Sequence, residues 1–156
     1  MKRSILLAAV LAAGCGESPP GTVVHVSAGD AEMNAAMDEA RKTLDRFIAA
    51  FQKPGPGQSD FGLKGRFAEG DCVEHMWIDE LRYEDGKFRG KLGNTPRLLS
   101  NLKRGSPCEL DPAHVSDWQY VENGRLVGGY TLRLIFRRMP PDERRAALES
   151  LPFRLD

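Results

Sequence analysis

The chain has 156 residues, 22 Lys plus Arg against 22 Asp plus Glu, 41% hydrophobic residues and three cysteines. That length suits one domain, and the neutral balance argues against a basic nucleic-acid binder. With 8% aromatics the chain can seed a core, which excludes a charge-driven disordered polymer.

Lys2-Arg3 precedes an apolar run of about ten residues that ends in small side chains, the grammar of a signal peptide. The run is shorter than the ~20 residues a transmembrane helix needs. Leu11-Ala12-Ala13-Gly14-Cys15 resembles a bacterial lipobox, which implies cleavage before Cys15 and acylation there, by palmitate among other chains. We therefore expect residues 1–14 to be a signal peptide, 15–29 a lipidated tether and 30–156 a single domain. Gly16, rather than an aspartate, favours the outer membrane if the host is Gram-negative. Loss of Lys2 and Arg3 would leave 20 basic against 22 acidic residues. The Pro, Gly and Ser content of residues 16–29 reads as linker, Val23 to Val26 included.

From Ala31 the period changes. Met33, Ala36, Met37, Ala40, Leu44, Phe47, Ile48 and Phe51 follow the spacing of one helical face, which predicts a single helix of five to six turns. Ser27 or Asp30 can cap its start, and Pro54-Gly55-Pro56-Gly57 ends it. Phe61, Leu63, Gly65 and Phe67 then alternate with Gly62, Lys64 and Arg66 as a first strand. Cys72 to Tyr83 meets Lys87 to Leu92 across Asp85-Gly86, with Glu84 facing Lys87, Glu80 facing Lys91 and Arg82 facing Arg89. Apolar residues on both faces of its middle require cover on both sides.

Asn94 to Arg104 reads as a loop with a short helix, followed by a brief strand at Cys108 to Leu110. Trp118 to Val121 meets Leu126 to Arg137 across Asn123-Gly124, which places Trp118 opposite Gly129 and Tyr120 opposite Val127. Tyr130, Leu132, Leu134 and Phe136 would share one face of that long final strand, set in mid-sheet. Pro140-Pro141 stops it, and Asp142 to Leu151 begins like a short helix. The expected fold is α+β: a long N-terminal helix packed on an antiparallel, strongly curved sheet of five or six strands, with a short C-terminal helix.

Pro-Gly-Gln-Ser-Asp-Phe (56–61), Glu-His-Met-Trp (74–77), Ser-Asp-Trp-Gln-Tyr (116–120) and Gly-Gly-Tyr-Thr-Leu-Arg (128–133) together resemble the bacterial domain of unknown function 2314 family, also called YegJ-like. The likeness runs from about Ala35 to Met139 and implies a small α+β domain without an established reaction.

Cys72 and Cys108, an even pair once Cys15 is taken by lipid, suggest a disulfide in an exported chain. A Cys72 nucleophile helped by His75 is disfavoured, because residues three apart on a strand point to opposite faces. Glu74, His75, His114 and Asp117 are residue types of acid–base or zinc chemistry, but their spacing matches no ligand cluster, and we expect neither metal nor cofactor. Ser116-Asp117 lacks a nucleophile elbow and reads as turn capping. Trp77, Trp118 and Tyr120 could pack in the core or line a groove for peptide or glycan, and a free sheet edge could add a partner strand.

The candidate binding or acid–base residues are thus Glu74, His75, Trp77, Asp117, Trp118 and Tyr120, with no complete catalytic set. The expected function is a non-catalytic, lipid-anchored extracytoplasmic module that meets an envelope protein or peptide and no nucleic acid. The alternatives are an envelope hydrolase using Glu74, His75 and Asp117, or an immunity-type protein that neutralises a toxin.

Overall fold

The computed structural model describes residues 10–13, 23–25 and 29–155. Strands β1 (Val10–Ala13) and β2 (Val23–His25) precede helices α1 (Ala31–Lys42) and α2 (Leu44–Gln52). Strands β3 (Gln58–Glu69), β4 (Cys72–Glu84), β5 (Lys87–Leu92), β6 (Pro107–Leu110), β7 (Val115–Glu122) and β8 (Arg125–Gly128) follow, then helices α3 (Tyr130–Arg138) and α4 (Pro141–Glu149). The six strands β3 to β8 form an antiparallel, unclosed sheet, so the α+β expectation holds.

The expected single N-terminal helix is two helices. Asp30 caps α1 by accepting the Met33 N–H at 3.0 Å, as its sequence position suggested, while Ser27 lies outside the described residues. At Thr43 the backbone leaves helical geometry (φ −103°, ψ 8°). Its hydroxyl lies 2.8 Å from the Glu39 carbonyl oxygen and 2.8 Å from the Tyr130 hydroxyl. A threonine that can bond a preceding carbonyl bends helices, and here a distant tyrosine holds the bend.

The apolar stripe continues across the break: Ala40, Leu44 and Phe47 pack on Leu63, Ile78, Phe88, Trp118 and Tyr120 in the main core. Gly65 contributes to the curl of the sheet, since a side chain there would stand 2.6 Å from Leu110 of β6. The first hairpin keeps the expected register at Glu84↔Lys87 and Arg82↔Arg89. A bulge at Glu80 (φ 51°) then shifts it, so Asp79 rather than Glu80 sits opposite Lys91. Lys91 still reaches the Glu80 carboxylate at 2.8 Å. Glu109 draws Lys87 at 2.6 Å and Arg89 at 3.0 Å, and Arg89 also reaches Glu84 at 3.3 Å, which offsets the clash of Arg82 with Arg89.

The second hairpin pairs Tyr120 with Val127, as expected, and Glu122 with Arg125, but the long final strand is not formed. β8 ends at Gly128, where φ turns to 76°, and Gly129 follows at 65°. Side chains are strained in that left-handed region, so the two glycines let the chain leave the sheet and start α3. The contact expected between Trp118 and a glycine occurs one residue earlier: a Cβ on Gly128 would lie 2.3 Å from the Trp118 carbonyl oxygen and 2.6 Å from its ring. Leu132, Leu134, Ile135 and Phe136 are then buried around a helix rather than along a strand.

Residues 94–104 contain no helix. α4 forms close to its expected bounds, and its Ala147 packs with Leu151, Phe153 and Leu155 on Leu126, Leu132 and Phe136. The Arg154 carbonyl accepts the Leu126 N–H at 2.8 Å, and the Arg154 N–H donates to Gly124 at 2.9 Å, so the C-terminal segment lines the outer side of β8. Within the segment expected to be a leader, β1 pairs antiparallel with Val73 to His75 of β4, and β2, expected as linker, pairs parallel with β1. Cys15 lies outside the described residues.

Candidate functional site

Residues 74–78 of β4 are buried on both faces, so the requirement for two-sided cover is met. Cross-strand partners share a face. The pairings Arg66↔His75, Lys64↔Trp77, Lys64↔Asp117 and Gly62↔Gln119 therefore gather these residues on one face of β3, β4 and β7. Leu63, Ile78 and Trp118 occupy the opposite face, in the core. Three of the six candidates, His75, Trp77 and Asp117, thus come together, with Lys64 as an unforeseen fourth member.

Asp117 is fully buried, and its carboxylate is committed to backbone. One oxygen accepts the Trp118 and Tyr130 N–H groups at 2.9 and 3.0 Å. The other accepts the Thr131 N–H at 2.9 Å and the Thr131 hydroxyl at 2.5 Å. These bonds satisfy the first amides of α3, where an anion also meets the positive end of the helix. Turn capping is the expectation for both Ser116 and Asp117; Asp117 caps a helix instead, and Ser116 donates its hydroxyl across to the Lys64 carbonyl of β3 at 3.2 Å. Burial pushes the Asp117 carboxyl above its usual range, opposed by Lys64 and the surrounding donors.

Lys64 is 1% exposed. Its ammonium donates to the Thr131 hydroxyl oxygen at 3.3 Å and stands 4.8 Å from the centre of the Trp77 ring. Burial lowers its pKa to about 8 against the pull of Asp117. Burial, then the charges of Lys64, Arg66 and Arg41, lower that of His75 to about 4, so the imidazole is neutral at pH 7. Three buried polar atoms on this face have no hydrogen-bond partner among the described residues: His75 Nδ1, Trp77 Nε1 and Gln119 Oε1. Native interiors leave few such atoms, because each costs on the order of 1–3 kcal/mol when unpaired.

The other candidates lie elsewhere. Glu74 is buried on the far face, accepting the Arg97 N–H at 3.0 Å and the Leu98 N–H at 3.2 Å, which holds the 94–104 loop against β4. Trp118 is a core residue that donates from Nε1 to the Ala40 carbonyl at 2.8 Å and packs 5.6 Å from Phe47 between ring centres. Tyr120 stacks on Phe61 at 5.2 Å, also in the core. Neither lines a groove, and the proposed acid–base trio is split between two faces of the sheet. His114 is exposed at the end of a short 3-10 turn that leads directly into β7, whereas Asp117 further along that strand is buried.

No disulfide links Cys72 to Cys108 in the structure; both side chains flank the cluster of Met76, Leu92 and Leu99. Burial pushes the Cys108 thiol up to about 11, which disfavours the reactive thiolate. Among the described residues no three His, Cys, Asp or Glu side chains group as a metal site. Lys64 stands in the sequence only as one of the residues alternating with Phe61, Leu63, Gly65 and Phe67, with nothing local to mark it as buried. The available signal was its place between Leu63 and Gly65 in a strand next to one that needed cover on both faces.

Residues 30–153 match the profile of a family described as "Uncharacterized protein conserved in bacteria (DUF2314)". The chain belongs to this family. The DUF2314 match starts at the α1 cap and runs past α4, so it contains every residue of the polar face. The chain is 29% identical over 111 residues, 71% of each chain, to the uncharacterized protein YegJ of Escherichia coli K12. It is 30% identical over 130 residues to a putative ankyrin repeat protein of Neisseria meningitidis serogroup B, covering 78% of this chain and 51% of that one. The chain thus spans about half the length of that relative. No solved structure matches the chain.

Proposed function

We propose that this DUF2314 chain is a lipid-anchored, extracytoplasmic binding domain that recognises an envelope protein or peptide without catalysing a reaction. The observation that carries the binding reading is the trio of unpaired buried atoms, His75 Nδ1, Trp77 Nε1 and Gln119 Oε1, on one sheet face beside Lys64. These atoms hold hydrogen-bonding capacity that the described residues leave unused, which supports a binding reading, whereas the neighbouring carboxylate, Asp117, already serves α3 and is not disposed for proton transfer. The location rests on Lys2-Arg3, the apolar run and Cys15. A relative named for ankyrin repeats supports an interaction role, since repeat arrays present extended binding surfaces. The proposal includes a Cys72–Cys108 bridge formed after export, as both side chains flank one cluster.

The test is made in cells. The chain should fractionate with membranes and Cys15→Ala should not. A photo-crosslinker at the exposed Arg66, beside His75, should capture one discrete envelope species that a crosslinker at exposed Lys53 does not. Soluble behaviour of the unmodified chain, or identical crosslinks from both positions, would overturn the reading.

A further inference from the structure

On another side of the molecule, α1, α3 and α4 enclose a trough of about 640 Å³. Its floor is apolar: Ala35, Ala36, Phe136, Leu148 and Leu155. Leu148 is 37% exposed, the one large hydrophobic side chain among the described residues that stands clear of cover.

The walls carry opposite charge. Glu32 and Glu39 lie along α1, and Arg137 and Arg144 face them from α3 and α4. Glu32 is engaged by Arg138 at 2.6 Å, and Glu39 lies 3.7 Å from Lys42. Arg133, deeper in the trough, is committed to the carbonyls of Gly128 at 2.8 Å and Leu126 at 2.6 Å. The guanidinium groups of Arg137 and Arg144 have neither an ion pair nor a hydrogen bond among the described residues, although the Arg144 backbone N–H donates to the Pro140 carbonyl at 2.8 Å. The trough therefore has an apolar bed, an acidic wall and two uncommitted guanidinium groups.

We infer that this trough docks an amphipathic helix of a partner protein, with carboxylates on one flank set against Arg137 and Arg144 and basic residues on the other set against Glu32 and Glu39. The dimensions of α1 favour a helix as the occupant. Glu32 and Glu39 are seven residues apart, about 10 Å along the axis, so they match two successive turns of a helix laid alongside. Between them Ala35 and Ala36 have almost no side chain, which lets a second backbone approach closely. A fatty acid would answer only the guanidinium groups, whereas a helix with one acidic and one basic flank answers both walls. The inference extends the binding reading to a second surface and does not depend on the His75 face.

The experiment uses the full chain and synthetic helical peptides of about 15 residues, long enough to form four turns. One peptide has a leucine face with glutamates on one flank and lysines on the other; a second has lysines on both. Binding is followed by fluorescence anisotropy. The mixed-flank peptide should bind, the lysine peptide should bind more weakly, and the exposed double variant Arg137→Glu/Arg144→Glu should lose roughly tenfold or more in affinity. Leu148→Asp, also at the surface, should weaken binding independently, while His75→Gln should leave it unchanged, which separates this surface from the other. Four results would overturn the proposal: no binding of the mixed peptide, equal binding by the double variant, displacement of the peptide by laurate, or self-association of the chain that the double variant abolishes.

Discussion

The carboxylate of Asp117 holds Thr131 twice, by its backbone N–H at 2.9 Å and its hydroxyl at 2.5 Å, and so ties the middle of β7 to the first turn of α3. Strand, helix and the buried Lys64 meet at this one side chain. Asp117→Ala would uncap α3 and strand the Lys64 ammonium without its counter-charge. Chemical denaturation should show a loss of about 3–5 kcal/mol, with a smaller loss for Asp117→Asn, which keeps an acceptor. A change within 1 kcal/mol for the alanine variant would mean that Asp117 does not organise this junction.

Gly128 and Gly70 test the same backbone requirement in different surroundings. Gly70 has φ 56° and no neighbour within 4 Å of a notional Cβ, so Gly70→Ala should cost about 1–2 kcal/mol from backbone strain alone. Gly128→Ala combines φ 76° with a Cβ 2.3 Å from the Trp118 carbonyl oxygen, and should cost about 3 kcal/mol or more. Thermal melts that rank the two variants equally would refute the role given to the glycine pair.

The neutral, buried His75 predicts acid sensitivity. Its pKa is about 4 in the fold against the ordinary 6.5 of a histidine, so below pH 6.5 the unfolded chain binds a proton that the folded chain refuses. Stability from this group is complete above pH 6.5 and falls as pH drops toward 4, by about 3 kcal/mol. Lys64, Arg66 and Arg41 all oppose the imidazolium. Denaturation midpoints taken across that range should fall more steeply for the wild type than for His75→Gln. Parallel curves would show that His75 is not the group refusing the proton.

Signals carried by adjacent residues were legible in the chain. Asp30 and its helix, the Asp85-Gly86 and Asn123-Gly124 turns, and the registers beside them depend on local geometry, and Asp85, Gly86, Asn123 and Gly124 all take the positive φ that such turns require. What went astray depended on partners far along the chain. Tyr130 to Phe136 carries apolar residues that fit a strand or a helix, and the decision lies with Asp117 and the left-handed glycines. The break at Thr43 is held by Tyr130, and the burial of Lys64 follows from Trp77 and Asp117 on neighbouring strands. The candidate site was half legible for the same reason: His75 and Trp77, two apart on one strand, share a face by strand geometry, but only the three-strand register shows which charges they meet.

The C-terminal segment does more than fill space beside α4. Because Arg154 takes up the outward backbone groups of Gly124 and Leu126, sheet growth is blocked at β8, while β6 at another margin is only four residues long and opens with a proline. Trimming the last few residues would convert a finished margin into a template for pairing with other chains. The tail is then a guard against edge-to-edge aggregation, a duty its modest burial would not suggest.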